Sequence, residues 1–295
     1  MATVMKTTGM KTPDSTTPGS QTMKITPLSA ACGAEITGVD ISRPLDDATF
    51  KAIHAAWLKH QVLVFRQQSL SEDQQIDFGS LFGEIQQVRS APGLYKNPYV
   101  LMVSNVVGPD GNKGALPDGE MQFHSDQCYY ELPGKATLLY SIEVPASGGD
   151  TLFSSTTAVY DSLPADVKAR LDGLMALNVY DYGGNPTARA KEIAPDAPKF
   201  AHPVVRIHDE TGRKGLYVNR LMTDHIVGMD RQASDELLEY LFAQAEKPEF
   251  VYAHKWSVGE LVMWDNRCTL HARTDFSPNT RRMLRRISIK GLRPV

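Results

Sequence analysis

The chain has 295 residues, of which 42% are hydrophobic, enough apolar material for one large domain with a deep core. Its net charge of −3 and dispersed Lys and Arg residues exclude the basic footprint of a nucleic-acid binder, so the expected partner is a small molecule. Cys32, Cys128 and Cys268 form no C-x-x-C pair and are odd in number, which argues against a disulfide framework or a zinc ribbon and fits a reducing cytoplasm.

Residues 1–22 are rich in Thr, Ser, Pro and Gly with no apolar run, and predict a disordered tail rather than a signal peptide. No segment approaches the length of apolar chain that a membrane span needs, so neither export nor insertion is expected. A single domain should cover 23–295.

Asp46 predicts the cap of a helix reaching about His60, with Phe50, Ile53, Trp57 and Leu58 as its apolar stripe. VLVF (62–65) has the character of a buried strand. Ser71 and Gln74 stand at capping-box spacing before a second helix that Gly83 ends. Between 84 and 122 the chain is broken by Pro92, Pro98, Pro109 and Pro117 around one strand, YVLMVSN (99–105), which predicts an active-site loop or lid.

Strands are then expected at 136–144, 150–154, 176–182, 202–208, 215–219, 249–256, 260–266 and 285–291, with helices at 155–172 and 233–246, the latter capped by Ser234. Many short strands with a few outer helices predict a mainly β (α+β) fold, a jelly roll with helical buttresses.

His124 and Asp126 stand two residues apart, so in extended chain both side chains leave one face and can converge on an ion. Alone, H-x-D is a weak signal that arises by chance. His271 lies 145 residues further on (271 − 126), a separation that a jelly roll closes because its first and last core strands are spatial neighbours. Two imidazoles and one carboxylate match the facial triad of non-haem Fe(II) oxygenases, whereas zinc more often recruits a third His or Cys.

H-S-D (124–126), GGDTLFSS (148–155), WDNRCTLH (264–271) and the run Arg281 to Arg286, in that order and spacing, resemble the taurine and 2,4-dichlorophenoxyacetate dioxygenase family of 2-oxoglutarate-dependent enzymes. GAEITGVDISRPL (33–45) and GRKGLYVNRL (212–221) extend the resemblance over about 24–295. The resemblance implies a double-stranded β-helix core using Fe(II), 2-oxoglutarate and O2, with His124, Asp126 and His271 as iron ligands. It further implies that Thr151, 25 residues after Asp126 (151 − 126), and Arg282, 11 after His271 (282 − 271), grip the distal carboxylate of 2-oxoglutarate. A guanidinium fork and a hydroxyl are suitable donors for that task. Asp126 occupies a position that related halogenases leave without a carboxylate, which implies hydroxylation.

Strand alternation places Arg282, Leu284 and Arg286 on one face, so both arginines can point inward, although solvated arginines on a terminal strand are the blander expectation. Arg286 matches a family arginine that meets an anionic substrate group. Val88 and Met222 fall where the taurine enzymes carry polar or aromatic residues, with Ala91 in the same loop. A less polar pocket favours an aryloxyalkanoate such as 2,4-dichlorophenoxyacetate, cleaved at its ether to a phenol and glyoxylate. The alternatives are a taurine, alkylsulfonate or alkyl sulfate dioxygenase releasing sulfite or sulfate, and a jelly roll that binds metal or 2-oxoglutarate without catalysis. The expected partners are a small anionic substrate and further copies of the chain as a homo-oligomer, with neither nucleic acid nor membrane. Asp265 is expected to organise its turn, the remaining histidines to be surface or core residues, and Cys128 and Cys268 have no assigned role.

Overall fold

Local chemistry starts the first helix where expected: Asp46 Oδ1 accepts from Thr49 N at 2.8 Å, capping α1 (Asp47–His60). The computed structural model describes residues 22–88, 97–107, 114–115, 119–181 and 193–295. The expected N-terminal tail lies outside these residues except at its last position, as do Ala91 and much of the expected lid. Before α1 come β1 (Lys24–Pro27) and β2 (Ala34–Thr37), and after it β3 (Val62–Phe65) and α2 (Glu72–Ser80), whose Ser71–Gln74 capping box forms in full. Gly83, at φ 149°, turns the chain away from α2.

The chain continues through β4 (Leu101–Ser104), β5 (Met121–His124), β6 (Gly134–Glu143) and β7 (Thr151–Ser155). Two short helices follow, α3 (Thr156–Ser162) and α4 (Ala165–Leu171), where the sequence suggests one continuous helix over 155–172. Pro164 is the reason: its ring excludes the residue before it from helical geometry, and Leu163 is extended at φ −65°, ψ 144°. Then come β8 (Met175–Val179), β9 (Lys199–Pro203), β10 (Val205–Ile207), β11 (Lys214–Leu216) and β12 (Thr223–Ile226). Helix α5 (Arg231–Ala245) is capped by Asp230 rather than by Ser234. Ser234 is instead fully buried, and its hydroxyl accepts from Ile226 N at 2.8 Å, tying α5 to β12. Strands β13 (Val251–His254), β14 (Leu261–Asp265), β15 (Thr269–Arg273) and β16 (Met283–Lys290) complete the chain.

A seven-stranded sheet, β1-β2-β3-β14-β6-β16-β4, faces a four-stranded sheet, β13-β7-β15-β5. Period-two alternation sorts the large sheet's side chains into two cores. Leu63, Phe65, Leu138, Met263 and Ile287 pack with Ile53, Trp57 and Phe78 from α1 and α2. Val62, Val64, Leu139, Trp264 and Leu284 face the other way and meet Phe153 of β7 between the sheets. Burial on both faces explains why VLVF is apolar at every position. Each such side chain contributes about 1.5–3 kcal/mol on burial.

On the outer face of the small sheet, Leu270 and Ala272 of β15 and Phe123 of β5 pack with Val159, Leu238 and Phe242 of α3 and α5. The residues that alternate with these on β15, His271 and Arg273, therefore project into the space between the sheets. Among the described residues no helix is long and apolar enough to cross a membrane.

Candidate metal and co-substrate site

Antiparallel pairing of β5 with β15 sets His124 directly opposite His271, and their ring centroids lie 4.0 Å apart. Asp126 lies just beyond the end of β5, in a turn where Gln127 adopts φ 62°, rather than on a continuing strand. That turn swings its carboxylate toward both imidazoles: Oδ1 is 4.0 Å from His124 Nε2 and 3.8 Å from His271 Nε2. His271 lies within β15, after the turn that follows β14. One donor atom from each of the three residues falls within 4.8 Å of the others, and all three are buried.

Electrostatics favour the ligand forms. Burial pulls the His124 and His271 imidazoles below their ordinary range, and each disfavours a proton on the other at this distance, so the neutral forms with a lone pair available are favoured. Burial pushes the Asp126 carboxyl up, but the charge of Arg286, the two histidines and a hydrogen bond from Thr137 together hold it well below the carboxylate range. His124 Nδ1 lies 2.8 Å from Gln122 O; as a donor to that carbonyl it leaves the lone pair on Nε2, the atom nearer Asp126.

A directed chain of hydrogen bonds fixes Asp126. The Trp264 indole can only donate, and its Nε1 reaches Asn266 Oδ1 at 2.9 Å. This sets the orientation of the Asn266 amide, whose Nδ2 donates to Thr137 Oγ1 at 3.0 Å, so the Thr137 proton is left for Asp126 Oδ2 at 2.6 Å. Arg286 Nη2 meets the same oxygen at 3.0 Å. With Oδ2 held by two donors, Oδ1 is the oxygen presented beside the imidazoles. Ser125 Oγ also donates to Asn266 O at 3.1 Å, so the H-S-D and W-D-N segments are joined directly there and a second time through Thr137. Sequence reasoning missed Asn266 and Thr137; the i+2 place of Asn266 after Trp264 was the available signal for it, and Thr137 offered none.

Thr151 and Arg282 share with His124, His271, Arg273 and Arg286 the walls of a narrow cavity of about 50 Å³. Arg282 is 2% exposed; among the described residues its Nε has no partner, and its Nη2 reaches only Gly149 O at 3.4 Å. Burial and the neighbouring charge of Arg273 draw its guanidinium down to about 9. A buried arginine with no carboxylate beside it among the described residues, next to a second arginine, is a fitting receptor for a dianion. Arg273, two residues after His271 on the same strand face, was legible from alternation but not singled out.

A second cavity, about 390 Å³, shares Met121, His124 and Arg286 with the first. Val88 and Met222 both line it, with Tyr99, Tyr129, Tyr130 and Tyr180. Tyr129 lies 4.6 Å from Tyr130 and 4.5 Å from Tyr180 between ring centroids. Cys128 backs this wall through Met222 Sδ at 3.6 Å, and burial pushes its thiol up to about 12, leaving it unreactive.

Another buried group, His208, Asp265 and Cys268, has metal-like spacing. Arg267 already grips both Asp265 oxygens, at 2.8 and 2.7 Å, and His208 Nε2 sits 3.0 Å from Oδ2, so this carboxylate is neutralised by a structural ion pair.

The pattern of the taurine catabolism dioxygenase TauD, TfdA family matches residues 24–288. The chain is 34% identical over 285 residues to the (S)-phenoxypropionate/alpha-ketoglutarate dioxygenase of Sphingobium herbicidovorans, covering 90% of this chain and 94% of that protein. It is 33% identical over 288 residues to pentalenolactone F synthase of Streptomyces avermitilis, covering 91% and 94%. The structure of a taurine dioxygenase from Burkholderia xenovorans superposes with a TM-score of 0.79 at 33% identity, covering 92% and 91% of the two chains. Fe(II), 2-oxoglutarate and O2 are the cofactor and co-substrates of these enzymes, and the buried His–Asp–His group accords with that chemistry. With its jelly-roll sheets and this match along nearly its whole length, the chain belongs to the TauD/TfdA family of 2-oxoglutarate-dependent dioxygenases.

Proposed function

We propose that His124, Asp126 and His271 hold Fe(II), that Thr151 and Arg282 take the distal carboxylate of 2-oxoglutarate, and that the enzyme hydroxylates an aryloxyalkanoate. Bound there, iron with 2-oxoglutarate and O2 supplies the oxidising power for inserting oxygen into a substrate C–H bond. Hydroxylation at the carbon between ether oxygen and carboxylate gives a hemiacetal; loss of its hydroxyl proton and cleavage of the C–O bond release a phenol and, from an aryloxyacetate, glyoxylate.

The observation that carries the substrate assignment is the composition of the larger cavity. Its tyrosine cluster offers aromatic faces to a ring, Val88 and Met222 add apolar wall, and Arg286 offers a cation beside the ligand carboxylate. Arg286 uses Nη2 on Asp126 and Nε on Ser288 Oγ at 3.3 Å, which leaves Nη1 donors for a substrate carboxylate. The Sphingobium relative, named for a phenoxypropionate, supports the same class.

The test is a panel of aryloxyalkanoates, alkylsulfonates and alkyl sulfates, given to anaerobically purified protein with Fe(II), ascorbate and 2-oxoglutarate. Succinate formation coupled to phenol release is expected with the aryloxy acids, and its loss in His271→Ala. Succinate formation stimulated only by the sulfur compounds would assign the cavity to them instead.

A further inference from the structure

The Thr151 hydroxyl has a partner of its own. Trp256 Nε1 lies 3.0 Å from Thr151 Oγ1, and an indole N–H can only donate, so Oγ1 is the acceptor. A threonine hydroxyl carries one proton; with a lone pair engaged behind it, that proton is directed away from Trp256. Among the described residues no acceptor stands within hydrogen-bonding distance to take it. Thr151 is 5% exposed and lines the narrow cavity beside Arg282, so the unclaimed donor belongs to whatever occupies that cavity.

Trp256 is itself fixed from behind. His254, the register partner of Thr151 across β13 and β7, meets the Trp256 ring edge to face at 4.6 Å and 89°. The His254 ring is held on both sides, by Glu260 Oε2 at 3.1 Å from Nε2 and by the Tyr252 hydroxyl at 3.0 Å from Nδ1. Glu260 also accepts from Ser257 N at 2.9 Å, closing the loop that carries Trp256, and pairs with Arg66. The indole therefore has little freedom to turn its N–H away.

We infer that Trp256 is a positioning residue for the co-substrate: its N–H sets the polarity of the Thr151 hydroxyl so that Thr151 donates to the distal carboxylate of 2-oxoglutarate beside Arg282. This rests on the reading of Thr151 and Arg282 as the carboxylate cradle. Without Trp256 the hydroxyl is free to rotate, and part of its donor strength is lost to other orientations.

The experiment is calorimetric titration of 2-oxoglutarate into Mn(II)-loaded protein, with steady-state kinetics alongside. Trp256→Phe keeps a ring against His254 and removes the donor. Its Kd and KM for 2-oxoglutarate are expected to rise about 3- to 10-fold, the range for one neutral hydrogen bond, with kcat, Mn(II) affinity and substrate KM unchanged. In a Thr151→Val background the same change should have no further effect, and Thr151→Ser, which retains the hydroxyl, should bind as the parent does. Wild-type 2-oxoglutarate affinity in Trp256→Phe, or an equal loss in the Thr151→Val background, overturns the inference while leaving the cradle intact. If Thr151→Val and Arg282→Ala both bind 2-oxoglutarate normally, the cradle reading falls and the inference with it.

Discussion

Replacing Thr137 by Val removes one oxygen atom from a site that touches neither metal nor substrate. The substitution preserves β-branched shape on β6 at a position with no exposure, so the packing between the sheets is kept. Two bonds disappear, the 2.6 Å donation to Asp126 Oδ2 and the 3.0 Å acceptance from Asn266 Nδ2. A hydrogen bond to a charged group is worth about 1.5–3 kcal/mol, which corresponds to roughly a 10- to 100-fold change in an equilibrium constant, the range typical for loss of a partner behind a metal ligand. Arg286 still holds the same oxygen at 3.0 Å, so the lower end, about tenfold, is expected. The assay is Mn(II) titration followed by the electron paramagnetic resonance of the free ion, with melting temperature as a check on folding. Weakened Mn(II) binding in a folded variant is the expected result. Mn(II) affinity within twofold of the parent would refute the claim that the Trp264–Asn266–Thr137 chain orients Asp126.

Two further outcomes follow from other parts of the fold. Burial pushes the Glu210 carboxyl up, but hydrogen bonds from Arg267 at 2.6 Å and Lys135 at 3.0 Å, with their charges, draw it down to about 2. A carboxylate depressed on folding contributes stability above its unfolded value near 4.5 that is lost as pH falls toward 2. Glu210→Gln should therefore flatten the decline of unfolding free energy in that window, measured by urea denaturation at constant ionic strength; an unchanged slope contradicts the assignment. Gly148 has φ 74°, and an added Cβ would lie 2.4 Å from Asp275 O, a backbone atom that cannot yield cheaply. Gly148→Ala should cost at least about 1–2 kcal/mol from backbone conformation alone and lower the melting temperature. An unshifted melting curve would show that this turn adjusts freely.

Some of this molecule was legible residue by residue. Capping at Asp46 and Ser71, the buried strand 62–65 and the shared face of Arg282 and Arg286 all follow from short-range rules, because backbone geometry repeats every two or 3.6 residues and needs no distant partner. The spacing of His124 and Asp126 singled out two side chains that the structure does bring together, but through a turn rather than the continuous strand expected. Where a cap was misplaced, at Ser234, two residues that both favour the N-cap stood four apart, and tertiary packing took Ser234 into the core while Asp230 capped the helix.

What the sequence determined by itself was the inventory of donor atoms and the alternation that aims them; it left open which remote segments would meet. The register pairing His271 with His124, the reach of Arg286 to Asp126, the isolation of Arg282 beside Arg273 and the hydrogen bonds through Asn266, Thr137 and Trp256 exist only once two sheets have closed on each other. The physical reason is that such contacts depend on strand order and sheet-to-sheet packing, which sum many weak burial terms along the whole chain, whereas periodicity is settled within a few residues.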